Sequence, residues 1–290
     1  MTSVRYVHVD VFASGAMSGN GLAVFLGADG WPSSVMQRLT QEMRQIESIF
    51  LSAESDEGAT ARIFTEGEEL PFAGHPVLGA AAVLHRERTP SDELRTWRLS
   101  LGGRIVAVTT ALAGDVVSAE MDQGPASLGP PLTPAESEPV LERLQLAPAD
   151  VVEGLPLQVA TTGLPYLIVP VRPDVLGRRR VQDGDLGAHL GRVGARFAYL
   201  LDPTTREART WDNAGRIEDI ATGSAAGPAA AYLWAHGLAA GATAIELEQG
   251  RWLGRPSRLR VRRDRQGHIF VGGDVWPFAR GELDIPVLHA

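Results

Sequence analysis

Hydrophobic and polar residues alternate at the start of the chain, where residues 5–12 read RYVHVDVF. Alternation with a period of two predicts a strand with one buried face. Residues 33–46 instead repeat apolar side chains at the spacing of a helix, and two serines at the start suit a helix cap. The same reasoning predicts further strands at 48–52, 59–65, 94–112, 116–124, 157–171 and 195–202 and toward the end of the chain.

One segment occurs twice, at matching places in the two halves of the chain. Residues 69–84 read ELPFAGHPVLGAAAVL and residues 218–233 read EDIATGSAAGPAAAYL, a constant offset of 149 positions from 69 to 218. Gly74 and Gly223 fall into register without a gap, and each precedes an apolar run of helical length. An offset near half the chain length indicates two related lobes.

The repeated helix is built almost wholly of small and apolar residues, so we expect it to be buried on every side. The sequence therefore predicts an α+β fold of two similar lobes, each a curved, mostly antiparallel, barrel-like sheet around a central helix. The lobes are predicted at 1–122 and 130–280, and the tail 281–290 is expected to return to the first lobe. The proline-rich stretch 124–139 is interpreted as the linker.

Composition excludes several classes of function. The net charge of −8 and the lack of a basic face argue against a nucleic-acid partner. No apolar stretch is long enough to span a bilayer, and the N-terminus does not read as a signal peptide, so a cytoplasmic location is expected. The chain has no cysteine and no lysine. Thiol chemistry, Schiff bases and a P-loop lysine are thereby excluded.

Sequence motifs for metal, nucleotide and hydrolase chemistry are also missing. The seven histidines show neither H-x-H nor H-x-x-x-H spacing, so no metal site is predicted. There is no G-x-S-x-G nucleophile elbow. No G-x-G-x-x-G follows a predicted strand, so a nicotinamide site is not expected.

The start of each repeated helix supplies candidate chemistry, because free backbone N–H groups there attract anions. Pro76 suits the first helical turn and would place His75 at the N-cap, where the positive helix end favours a neutral imidazole. His75 could equally be a capping or packing residue. Asp219 reads as a partly buried acid near an anion site or as an ordinary loop residue, and Ser224 as an N-cap.

Two further candidates lie in the first half of the chain. Glu47 follows a helical pattern and precedes an apolar strand, where burial would raise its pKa toward the range useful for proton transfer. The alternative is an exposed residue at the end of the helix. Gly19, Asn20 and Gly21 could form a nest of backbone donors for a carboxylate, or a simple turn.

Several separate segments together resemble a known family. They are VDVFASGAMSGNGLAVFL, IESIFL, RIFTEGEELPFAGHPVLGAA, IEDIATGSAAGPAAAYL and EQGRWLGRPSRLRV, in this order between about residue 6 and residue 273. The chain resembles the PhzF-like phenazine-biosynthesis isomerases, a branch of the diaminopimelate epimerase fold. The resemblance implies a duplicated lobe, a cleft between the lobes, an isomerase without a cofactor, and a homodimer.

The resemblance also implies roles for individual residues. The family's catalytic glutamate falls on Glu47, its histidine on His75, and its aspartate and serine on Asp219 and Ser224. In the best-known member the glutamate moves a proton between two carbons of a dihydro-hydroxyanthranilate ring. The residues expected to bind substrate are Gly19, Asn20, Gly74, Gly223 and Ser224.

The chain departs from the family pattern around these residues. Arg44-Gln45-Ile46 replaces Asn-Leu-Ser before Glu47, Gly21 stands where proline is frequent, and residues 211–215 differ from Phe-x-Pro-Gly. Ile220 replaces a proline after Glu218-Asp219. The acid–base residues are kept while the pocket wall differs, so the substrate is defined only as a small molecule bearing a carboxylate.

The leading hypothesis is an isomerase that moves a carbon-bound proton by carboxylate acid–base catalysis in the interdomain cleft. Glu47 would abstract and return the proton. His75, with backbone N–H groups near Gly74 and Gly223, would stabilise the enolate oxygen. Asp219 would hold an amino or hydroxyl group of the substrate. The alternatives are a cyclase or lyase of secondary metabolism that uses the same cleft, and a non-catalytic binding protein on this scaffold.

Overall fold

The computed structural model describes the backbone of residues 2–91, 93–178 and 186–285. The helices are α1 (Ser33–Met43), α2 (Gly74–Arg88), α3 (Pro134–Arg143), α4 (Pro173–Leu176), α5 (Leu186–Arg192) and α6 (Gly223–Ala235). The strands of the first half are β1 (Thr2–Val11), β2 (Asn20–Leu26), β3 (Glu47–Ser52), β4 (Gly58–Thr65), β5 (Glu69–Leu70), β6 (Leu94–Leu101), β7 (Arg104–Ala113) and β8 (Val116–Pro125). The others are β9 (Ser127–Pro131), β10 (Gln158–Thr161), β11 (Pro165–Pro170), β12 (Phe197–Leu201), β13 (Ala208–Arg209), β14 (Ala244–Gln249), β15 (Ser257–Arg263) and β16 (His268–Ile285).

The chain divides into two compact units. The first comprises Met1–Asp122 and Gly272–Ala290, and the second comprises Gln123–Val271. The division at residue 272 falls within the long strand β16, whose later part pairs with β1 in the first unit. Residues 272–280, predicted to lie in the second lobe, therefore belong to the first unit.

The sheet of the first unit is closed. Its strand order is β1-β2-β3-β4-β6-β7-β8-β16, and β16 also pairs with β1. The pairings β2–β3 and β4–β6 are parallel, whereas β1–β2, β3–β4, β6–β7, β7–β8 and β1–β16 are antiparallel. This closed eight-stranded sheet confirms the predicted barrel-like architecture, and the fold is mixed α+β as expected.

Helix α2 is the central helix of this unit. It contacts β1, β2, β3, β4, β6 and β7, and every residue from Gly74 to His85 is buried. The helix lies so close to the sheet that a Cβ on Gly79 would be 2.4 Å from the Leu22 side chain and 3.0 Å from that of Val11. The absence of a side chain at position 79 therefore allows the close packing of α2 on β1 and β2.

Helix α1 is shorter than its apolar pattern predicted. It ends at Met43, because Arg44 adopts the left-handed conformation (φ 55°) and turns the chain back toward the sheet. β3 then begins at Glu47 and runs parallel to β2, with Glu47 beside Leu22. The early helix end thus places Glu47 in a strand rather than at an exposed helix terminus.

The second unit contains a separate sheet with the strand order β13-β12-β11-β10-β9 and a hairpin of β14 and β15. Helix α6 packs against β9, β10, β11, β12 and β15, and most of its residues are buried. The continuous strand predicted at 157–171 is two antiparallel strands, β10 and β11. The second unit, like the first, therefore consists of a sheet packed on an alanine-rich helix.

The prediction of a linker at 124–139 is wrong. Residues 127–131 form β9, which pairs with β10, and α3 begins at Pro134. Thr133 and Glu136 form a reciprocal capping box at the start of α3. Proline and small residues here serve an edge strand and a capped helix start, which composition alone does not separate from a loop.

Among the described residues, no helix combines the length and the apolar character needed to cross a membrane.

Candidate active site

The two copies of the repeat begin their helices at the same position. α2 starts at Gly74 after Ala73, and α6 starts at Gly223 after Thr222. Neither start has a side-chain cap among the described residues, in contrast to the capping box of α3. The first backbone N–H groups of α2 and α6 therefore have no intrahelical acceptor and no capping side chain.

His75 and Ser224 are each the second residue of their helix, so the prediction of N-cap positions for them is wrong. Ala73 has extended backbone angles (φ −149°, ψ 140°), which makes it the N-cap of α2. Pro76 then occupies the third helical position, where its missing N–H still costs no intrahelical bond. The side chain of His75 consequently projects from the first turn and does not cap the helix.

His75 and Glu47 form a buried pair in the first unit. The Nδ1 of His75 lies 3.3 Å from Oε2 of Glu47, and the two side chains are 8% and 13% exposed. Burial lowers the pKa of His75 to about 3, so the imidazole is neutral near pH 7. The expected neutrality is thus explained by burial, with the helix N-terminus acting in the same direction. Among the described residues, Nε2 of His75 is buried without a hydrogen-bond partner.

Gly19, Asn20 and Gly21 do not form a nest of backbone donors. Asn20 and Gly21 are extended residues of β2 and lie opposite Val11 and Asp10 of β1. Gly19 has φ 77°, and a Cβ there would be 2.5 Å from the Val11 carbonyl oxygen, so this position requires glycine. Asn20 is buried, and the part of Gly19 and Asn20 in substrate binding stays a prediction.

Asp219 lies in a hydrogen-bonded network of the second unit. Thr222 Oγ1 donates to Asp219 Oδ2 at 2.6 Å. The amide of Gln249 donates to the Asp219 backbone carbonyl at 2.8 Å and to Thr222 Oγ1 at 3.0 Å. Tyr199 donates from its hydroxyl to Gln249 Oε1 at 3.2 Å. The network fixes the carboxylate of Asp219 four residues before the uncapped start of α6.

Ser224 is held by a second tyrosine. Its Oγ lies 2.8 Å from the hydroxyl of Tyr166. Burial, with smaller contributions from Tyr166 and Asp219, raises the pKa of Tyr199, so that hydroxyl keeps its proton. The sequence pattern does not single out Tyr166, Tyr199, Thr222 or Gln249. Gln249 is the second residue of the EQGRWLGRPSRLRV segment, and that was the one available signal.

Each repeat also begins with a glutamate held by an arginine of a preceding strand. Arg62 makes two hydrogen bonds to Glu69 in the first unit, and Arg209 makes two to Glu218 in the second. The first pair is exposed (31% and 40%), whereas the second is buried (5% and 9%). The guanidinium of Arg209 also stacks 4.7 Å over the ring of Trp211. The segment before Asp219 is therefore anchored to the strand before it.

The structure thus brings Glu47 together with His75 in one unit, and Asp219 together with Thr222 in the other. Among the described residues, no group of three or more histidine, aspartate or glutamate side chains is placed to hold a metal ion.

Curated relatives match nearly the whole chain. A trans-2,3-dihydro-3-hydroxyanthranilate isomerase of Pseudomonas fluorescens is 33% identical, over 96% of this chain and 99% of the relative. The enzyme of the same name from Pseudomonas aeruginosa is 35% identical, over 96% and 98%. An uncharacterized isomerase of Escherichia coli is 30% identical, over 88% of each chain.

Solved structures show the same fold. A predicted epimerase from Pseudomonas aeruginosa superposes with a TM-score of 0.88 at 49% identity, covering 96% of this chain and 98% of that one. A probable proline racemase from Agrobacterium radiobacter shares the fold at a TM-score of 0.62 and 12% identity, over 97% and 93%. Residues 9–275 match the family described as phenazine biosynthesis-like protein. The chain therefore belongs to the phenazine biosynthesis-like (PhzF) family of isomerases.

Proposed function

We propose that this protein moves a carbon-bound proton on a small substrate that carries a carboxylate, with Glu47 as the acid–base group and without a cofactor. The observation that carries the proposal is the 3.3 Å contact between Oε2 of Glu47 and Nδ1 of a buried, neutral His75 at the uncapped start of α2. Because His75 is neutral, it does not reduce the basicity of the Glu47 carboxylate as a neighbouring imidazolium would. The carboxylate can therefore act as a general base.

The proposed reaction conserves all atoms. The carboxylate of Glu47 takes a proton from one substrate carbon, and the electron pair of the broken C–H bond delocalises into the conjugated system as an enolate. The O–H bond of Glu47 then breaks as a proton is delivered to a second carbon; in D₂O this site can exchange with solvent before delivery. His75 and the backbone N–H groups near Gly74 stabilise the intermediate oxygen, since preformed donors act strongly where charge develops.

Asp219, Gly223 and Ser224 are proposed to bind the same substrate. The Asp219 carboxylate would accept a hydrogen bond from a substrate amino or hydroxyl group. Ser224, held at 2.8 Å by Tyr166, would donate to or accept from the substrate, and the N–H groups at the start of α6 would face its carboxylate. The substrate class is supported by the Pseudomonas relatives, which are named for a dihydro-hydroxyanthranilate.

Deuterium exchange tests the role of Glu47 directly. The wild-type protein and the Glu47→Gln variant are incubated in D₂O with trans-2,3-dihydro-3-hydroxyanthranilate and a panel of small carboxylic acids, and substrate and product are followed by NMR and mass. We expect Glu47→Gln to lose turnover and exchange by a factor of roughly 10² to 10⁴, the contribution of one positioned acid–base group. Glu42→Gln, at an exposed position of α1, is the matched control.

Full exchange by Glu47→Gln would refute the assignment. A product lighter by one water would instead identify a lyase, because an isomerase leaves the mass unchanged.

The homodimer implied by the family resemblance stays a prediction that sedimentation velocity would test.

A further inference from the structure

Gln249, the last residue of β14, uses every hydrogen-bonding position of its side-chain amide. Its Oε1 accepts from the backbone N–H of Thr222 at 3.2 Å and from the hydroxyl of Tyr199 at 3.2 Å. Its Nε2 donates to the Asp219 carbonyl at 2.8 Å and to Thr222 Oγ1 at 3.0 Å. The side chain is almost fully buried, with 1% of the residue exposed.

The orientation of this amide is dictated by two backbone groups. A backbone N–H only donates, so the Thr222 amide must face Oε1 of Gln249. A backbone carbonyl only accepts, so the carbonyl of Asp219 must face Nε2. Rotating the amide by 180° would break both bonds inside a buried site, which is costly because unsatisfied buried polar groups lose their hydration without compensation.

The orientation of the amide determines the direction of the next hydrogen bond. A threonine hydroxyl has one proton to donate. Oγ1 of Thr222 accepts from Nε2 of Gln249 at 3.0 Å and directs its own proton to Asp219 Oδ2 at 2.6 Å. Oδ2 is therefore a hydrogen-bond acceptor. Glu218, the residue before Asp219, is paired with Arg209 of β13.

We propose that Gln249 is a positioning residue that acts through Thr222 to keep a donor on Oδ2 of Asp219. A donor on a carboxylate oxygen favours the charged form of that carboxylate. This inference rests on the proposed function in one respect, the assignment of Asp219 to the substrate. The buried hydroxyl of Tyr199 keeps its proton and donates it to Oε1 of Gln249, which supports the same orientation of the amide.

Carboxyl NMR tests the proposal without substrate. Protein labelled with ¹³C at the aspartate carboxyl carbon is titrated, and the Asp219 signal is identified by its loss in Asp219→Asn. We expect Gln249→Met and Thr222→Val to move the titration midpoint of this signal upward by about one pH unit, the order of one lost hydrogen bond to the charged form. Thr222→Ser keeps the hydroxyl and should retain the wild-type midpoint.

A matched control separates this effect from general damage. Gln158 is also a buried glutamine of the second unit, bonded to the Gly129 carbonyl at 2.7 Å and to His236 at 2.7 Å. Gln158→Met should lower the melting temperature and leave the Asp219 midpoint unchanged. An unchanged midpoint in folded Gln249→Met and Thr222→Val would overturn the inference.

The activity assay distinguishes the two proposals. If Asp219 binds substrate, Thr222→Val and Gln249→Met lower kcat/KM at neutral pH by about tenfold, and Thr222→Ser does not. A shifted midpoint with unaltered kcat/KM would retain the hydrogen-bond direction and refute the assignment of Asp219 to the substrate. If Glu47→Gln kept full deuterium exchange, the role of Glu47 would be refuted, but the Asp219 titration midpoints would still test Gln249 and Thr222.

Discussion

The side chain of Gln45 occupies the space beside Gly21 that any other residue at position 21 would need. A Cβ built on Gly21 would lie 2.4 Å from Oε1 of Gln45 and 3.2 Å from Nε2 of His8. Both positions depart from the usual family pattern, which has leucine at position 45 and often proline at position 21. The two departures are therefore complementary: Gln45 lies two residues before Glu47, and Gly21 precedes Leu22, the strand partner of Glu47.

This complementarity predicts coupled stability effects. Gly21→Ala should lower the free energy of unfolding by about 1 kcal/mol, because the added methyl group must displace Gln45. In a Gln45→Ala background the loss should fall by at least about 0.5 kcal/mol, a coupling measurable in a double-mutant cycle by urea unfolding. Gly19→Ala is the control, since its φ of 77° makes it strained whatever stands at position 45. Additive effects of Gly21→Ala and Gln45→Ala would contradict the prediction.

The buried imidazole of His75 predicts a pH dependence of stability. Its pKa is lowered from 6.5 to about 3 by burial, so between these values the unfolded chain binds a proton that the folded chain does not. The free energy of unfolding should therefore fall as the pH drops from about 6.5 toward 3, by up to about 1.4 kcal/mol per pH unit from this residue.

His75→Gln should remove that part of the slope, and urea unfolding between pH 4 and pH 8 measures it. His189→Gln, at a half-buried position of α5, controls for the loss of any imidazole. Equal slopes for the wild-type protein and His75→Gln would show that the imidazole is not held neutral by the fold.

The two arginine–glutamate pairs predict unequal effects of the same substitution. Glu218→Gln leaves the buried Arg209 without its counter-charge and should cost about 3 kcal/mol of stability. Glu69→Gln disrupts the exposed pair with Arg62 and should cost about 1 kcal/mol or less. Thermal unfolding of the two variants compares them directly, and a smaller loss for Glu218→Gln than for Glu69→Gln would contradict the burial argument.

The uncapped start of α2 predicts opposite effects on stability and turnover. Ala73→Ser supplies a hydroxyl to the first N–H groups and should raise the free energy of unfolding by about 0.5 to 1 kcal/mol. It should also lower turnover, because those donors would be engaged before substrate arrives. Thr133→Ala, which removes the cap of α3, should lower stability by about 1 kcal/mol and leave turnover unchanged. A more active Ala73→Ser variant would argue against anion binding at this helix start.

The sequence predicted the repeated helices and the barrel-like sheet because both depend on periodicity and on the small residues of α2 and α6. The linker was misassigned because proline and serine suit a capped helix start as well as a loop. The early end of α1 was missed because a left-handed Arg44 leaves no compositional signal. Gln249 was missed for a similar reason: a glutamine in a strand becomes informative only when its four partners are known.

The starts of α2 and α6 match in their first residue and differ in their second. Glycine opens both helices, and the next residue, imidazole in one and hydroxyl in the other, projects from the first turn without contributing a cap. Natural variation at this single place in each copy can therefore alter the reactive group while the helix behind it stays intact.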